Sequence, residues 1–261
     1  MTARPNHQPG EAERRVVEAY AAAHLSDASG YSSATHSFMR EDVILHMYEI
    51  LMLLRQAFLG LRWRPEDLRE KELLEVGCAW GFRLNQLLGF DFVPERLHGI
   101  DLIPEYIDAA RRLHPSMTFE VMPAGRMTYP DARFDGTIAV MALSAMLDSN
   151  MVAASLAEMC RVSREFVLVV DNFRVGYEDA RHGAVYLRGV DPRHLAELAR
   201  RSDVAEVKEL GRFWSTSRLA WKAHAALQRV MPSIAYAAAI RLPGRHSHRA
   251  YLVRLRQKQG R

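Results

Sequence analysis

Lysine is nearly missing from this chain: Lys71, Lys208, Lys222 and Lys258 are the only ones among 35 basic residues. The other basic positions are arginines, interleaved with 31 acidic residues, and the net charge is only +4. No dense basic stripe forms before residues 254–261, which read as a solvated tail. The excess charge therefore argues against a nucleic-acid groove. Cysteine is almost as scarce. Cys78 and Cys160 lie far apart, which excludes a disulfide framework or a zinc site and fits a reducing cytoplasm. No apolar run approaches the length of a membrane span, and residues 1–13 are polar without an apolar signal core. Neither a membrane partner nor a secretory signal is expected.

What is present is an ordinary globular composition, 49% hydrophobic and 25% charged over 261 residues, enough for one large core. Its most informative stretch is Leu73-Leu74-Glu75-Val76-Gly77-Cys78-Ala79-Trp80-Gly81. A short buried-strand pattern ends beside an acid and a glycine-spaced turn. Phe82, Leu84, Leu87 and Leu88 then recur at helical spacing. Glycine lets backbone approach a ligand closely, because it has no Cβ to stand in the way. Twenty residues beyond Gly81, a second strand (97–101) ends in Asp101, followed by a helix over 104–113. An acid at that separation is placed to hold the two hydroxyls of a ribose.

These residues resemble class I S-adenosylmethionine (SAM) dependent methyltransferases. The family's first motif, an acid followed by three alternate glycines, is matched by Glu75, Gly77 and Gly81, with Ala79 where glycine is usual. That methyl narrows the turn's freedom at little expected cost. Residues 129–140 resemble the family's passage around strand four, and 158–162 its passage from helix to strand five, so the resemblance covers 73–172. It implies an α/β fold: a Rossmann-like, doubly wound, seven-stranded, mostly parallel sheet whose last strand is antiparallel. An N-terminal helical cap (1–70) precedes the core (71–261), and a helical insertion (213–244) precedes the last strand. The implied cofactor is SAM. The residues implied to hold it are Glu75, Gly77, Cys78, Ala79, Gly81, Asp101, Leu102, Ala124 and Met141, with Tyr31 from a segment folding over the site. Pro123 stands where the family commonly has an Asp that accepts from the adenine amino group, and proline has neither an acceptor side chain nor an N–H. The Asn/Asp-Pro-Pro-aromatic motif of base and glutamine methylation is absent after strand four, which again removes nucleic acid as a partner.

Along the chain, helices are expected at 11–25, at about 35–61, at 147–162 and at 192–200, with a helical turn at 65–69. Met151, Leu156, Met159 and Cys160 form the buried side of the third. Strands are expected at 117–121, up to 140–144, at 166–170 after a turn at 163–165, at 204–210 and finally from 248 or 250 to 255. The insertion, with a helix at 217–230 and an apolar piece at 234–242, reads as a cover for the sheet, as an acceptor-pocket wall or as a homodimer contact.

Methyl transfer from a sulfonium is an in-line displacement, so positioning can supply ~7–11 kcal/mol of the barrier. A neutral hydroxyl acceptor also needs a base, at the carboxyl edge of the sheet. Asp171 is the candidate carboxylate, unless it caps the next turn. His182 is the candidate imidazole, unless it is a plain surface-loop histidine. His36, Arg40, Ser144, Asn172 and Trp214 are the candidate acceptor contacts. Asp171-Asn172 makes half of a cation site of the catechol-methyltransferase kind, but Met141 and Ala142 stand where its other acid would be, so no metal is expected. The function expected is methyl transfer from SAM to an O or N atom of a small molecule, in bacterial secondary-metabolite or saccharide biosynthesis. The alternative is a SAM-binding-fold partner or scaffold without transferase activity.

Overall fold

The computed structural model describes residues 10–24, 41–146, 149–173, 181–182, 185–186, 189–212 and 248–256. Helix α1 spans Glu11–His24 and α2 Glu41–Gly60; one short turn, α3, covers Pro65–Leu68. The core then alternates: β1 Leu73–Val76, α4 Phe82–Leu87, β2 Leu97–Asp101, α5 Pro104–Leu113, β3 Thr118–Val121, β4 Phe134–Val140, α6 Ser149–Val162 and β5 Ser163–Asn172. A two-residue pair, β6 Arg181–His182 and β7 Val185–Tyr186, forms a separate two-stranded ladder. Helix α7 Arg193–Leu198 and the strands β8 Val204–Arg212 and β9 His248–Leu255 follow.

Seven strands form one sheet in the order β3-β2-β1-β4-β5-β9-β8. The first five run parallel, and β9 is antiparallel to both its neighbours. This is the doubly wound architecture expected. Its central strands are apolar on both faces because helices cover both. The two faces of β5 show the period of two directly: Phe166, Leu168 and Val170 join the core that holds α2, α4 and α5. Val167 and Val169 join the core that holds α6 and α7. Ile50, Leu53, Leu54, Ala57 and Phe58 put one stripe of α2 into the first of these cores. Trp63 pins that helix to the sheet. It stacks on Phe58 at 5.7 Å, meets Phe166 edge-on at 5.3 Å and carries the Lys71 ammonium 4.5 Å above its ring.

Two boundaries differ from expectation. Residues 163–165 are not a turn but the start of β5. The Ser163 hydroxyl donates to Thr137 Oγ1, the Arg164 guanidinium donates to the carbonyls of Ala132 and Arg133, and Glu165 accepts from Trp63 and Lys71. These polar side chains serve strand pairing rather than chain reversal. Strand β4 stops at Val140, and Leu143–Ala145 form a single 3₁₀ turn. Residues 147–148, the front of the second helix and the whole insertion at 213–244 lie outside the described residues. No helix among the described residues is long and apolar enough to cross a membrane.

Candidate functional site

The first βα turn is fixed by three conditions. Gly77 and Cys78 both donate to the Ile100 carbonyl, at 2.8 and 3.0 Å, tying the turn to the end of β2. Gly77 and Gly81 sit at φ of +72° and +76°. A Cβ at Gly77 would come 2.5 Å from that of Ala142, and one at Gly81 would come 2.6 Å from the Phe119 ring. Ala79, between them, also has positive φ, +46°. Its methyl is therefore not the small matter expected, since an alanine in the left-handed region carries about 1–2 kcal/mol of strain. Ala79→Gly is expected to raise stability by about 1 kcal/mol net of the added chain entropy, read as a higher melting temperature with the fold unchanged.

The Asp101 carboxylate closes the turn from the other side. Oδ2 accepts from the Ala79 N–H at 2.9 Å and Oδ1 from the Ile103 N–H at 3.0 Å. Burial pushes its pKa up, opposed by backbone N–H groups of Ala79, Ile103 and Leu102. Glu75 lies beneath the turn, 2% exposed. Burial pushes its carboxyl up to about 8 against the pull of buried Arg83 and an N–H from Leu84, and the Asp101 charge adds to the rise. Its burial thus favours the protonated form of the Glu75 carboxyl.

Over this edge opens a cavity of about 530 Å³, within the range of small-molecule sites. Gly77, Asp101, Leu102 and Ala124, all expected at the cofactor, line it together with Val76, Ile100 and Pro123. Cys78, Ala79, Gly81 and Met141, also expected there, are not among its lining residues. Met141 sits at φ +56° with its N–H on the Val170 carbonyl, and the neighbouring Ala142 makes the wall.

Asp171 is not at this cavity. It is fully buried: Oδ2 accepts from the N–H groups of Leu143 (2.9 Å) and Ser144 (3.1 Å), and Oδ1 from that of Asn172 (2.7 Å). With its oxygens so occupied, it holds the turn after β4 rather than a substrate proton. Ser144 is buried with it, and Asn172 ends β5 away from the cavity lining. Only the backbone of His182 is described, in the short β6–β7 pair. Tyr31, His36, Arg40 and Trp214 lie outside the described residues. Among the described residues no three His, Cys, Asp or Glu side chains gather as metal ligands.

Sequence reasoning missed two walls. Helix α6 contributes Asn150, Met151, Ala154 and Ser155, with Met146 before it. Met151, expected on the buried side, is half-buried and faces the cavity. The i, i+4 pairing of 150 with 154 and 151 with 155 was the available signal. Helix α1 contributes Glu11, Glu13 and Val16, for which no local pattern exists.

Compared with known proteins, residues 73–165 match the methyltransferase-domain family. An O-methyltransferase of Penicillium expansum, cnsE, is 29% identical over 119 residues. That match spans 42% of this chain and only 40% of the relative. Among solved structures, the magnesium protoporphyrin IX methyltransferase of Synechocystis, with bound SAM, aligns over 95% of this chain and 99% of its own at a TM-score of 0.56 and 9% identity. The 1,6-didemethyltoxoflavin-N1-methyltransferase of Burkholderia thailandensis aligns over 96% and 93% at a TM-score of 0.50 and 18% identity. At those identities the two structures speak for the fold alone. With its glycine turn, the acid ending β2 and the 3-2-1-4-5 strand order all in place, the chain carries over residues 73–165 a match to the methyltransferase-domain family, set in a Rossmann-like fold of the methyltransferase kind.

Proposed function

We propose that the protein transfers the methyl group of SAM to an O or N atom of a small-molecule acceptor. The observation that carries this reading is the single cavity on which the Gly77 turn, the Asp101 carboxylate and the Ala124 turn converge. Its carboxylates, from Asp101, Glu11 and Glu13, suit a cationic sulfonium ligand. The transfer belongs to a biosynthetic route in a reducing cytoplasm. The aligned proteins, an O-methyltransferase and a 1,6-didemethyltoxoflavin-N1-methyltransferase, agree with a small acceptor rather than a nucleic acid.

The test is thermal melting with S-adenosylhomocysteine. At 100 times Kd, ligand stabilises the native state by ~2.7 kcal/mol, expected here as a melting point about 5–10 °C higher. No shift at millimolar ligand would favour a scaffold role instead.

A further inference from the structure

We propose that Ser155 reads the exocyclic amino group of the cofactor's purine, taking over the acceptor role that Pro123 cannot fill. This rests on the SAM-binding reading above. The sheet order fixes the ligand's direction. Asp101 at the end of β2 takes the ribose, and the Gly77 turn at the end of β1 takes the sulfonium side. The base must then extend the other way, toward the end of β3. That end of the cavity is walled by Leu102, Met122, Pro123, Ala124, Met146 and Ala154, apolar surfaces suited to the faces of a purine.

A purine edge with an amino group needs an acceptor there. Ser155 lines the same end and is 1% exposed. Its hydroxyl donates to the thioether sulfur of Met146 at 3.4 Å. The oxygen's lone pairs are thus left for an incoming N–H. Gly125 brings the turn after β3 against this point, since a Cβ on it would lie 3.8 Å from Ser155 Oγ and 3.2 Å from the Ala154 methyl. The hydroxyl therefore sits on α6 directly across from the turn where Pro123 replaces a carboxylate. In this arrangement the amino group donates to Ser155 Oγ, while Ser155 keeps its proton on Met146.

Calorimetry with S-adenosylhomocysteine and its 6-deamino purine analogue tests the assignment. Wild-type protein is expected to bind the deamino analogue about 3- to 10-fold more weakly, the worth of one neutral hydrogen bond. Ser155→Ala is expected to lose that same factor toward S-adenosylhomocysteine and to bind both ligands equally. Ser155→Cys, which keeps the packing against Met146 with a poorer acceptor, should follow Ser155→Ala. Undiminished discrimination in the Ser155→Ala protein, or an equal loss toward both ligands, would overturn the assignment. Failure of wild-type protein to bind either ligand would instead strike the SAM-binding reading itself.

Discussion

Asp101→Ala is expected to lower affinity for S-adenosylhomocysteine by about 100-fold or more while leaving a folded protein. On the proposed reading the carboxylate accepts from two ribose hydroxyls, and each hydrogen bond to a charged group is worth roughly 1.5–3 kcal/mol. The same side chain also orders the turn through the N–H groups of Ala79 and Ile103, so its removal loosens the cradle as well as the grip. Asp101→Asn separates the two effects. It keeps one acceptor oxygen for the turn but loses the charge, and it should fall between wild type and alanine. Calorimetric titration reads the affinities, and near-wild-type binding by Asp101→Ala would place the ribose elsewhere.

Asp171→Ala is expected to act on stability first. It leaves the N–H groups of Leu143, Ser144 and Asn172 without their acceptor in a fully buried position. Each buried group so orphaned costs about 1–3 kcal/mol. A combined loss of about 3 kcal/mol would lower the melting point by roughly 6–12 °C. A catalytic base behaves in the opposite way: its removal slows turnover and leaves the melting point in place. Melting curves and single-turnover rates on the same variant distinguish the two, and an unchanged melting point would return Asp171 to the list of bases.

The parts of this molecule that could be read from its residues are those where one pattern has one physical meaning. A run of buried strand residues, glycines at positive φ and an acid closing the next strand admit few structures, and Gly77 and Asp101 meet as the spacing demands. Asp171 was not legible in the same way. A carboxylate at the end of a parallel strand looks alike whether it faces a substrate or three backbone N–H groups. The choice is made by the 143–145 turn folding back over it, which no local pattern announces. The polar trio 163–165 misleads for a related reason, because its partners come from β4 (Thr137) and from three separate connecting segments (Ala132, Trp63 and Lys71). Ala79 shows the reverse case. The residue type was visible at once, but its strain depends on the backbone angle of +46°.

A crystal structure with S-adenosylhomocysteine tests the central claim most directly. The expected result places both ribose hydroxyls within hydrogen-bonding distance of the Asp101 carboxylate and the sulfur beside the Gly77 turn. The purine would then lie between Leu102 and Met146. Ligand density elsewhere on the chain, or a ribose turned away from Asp101, would contradict it.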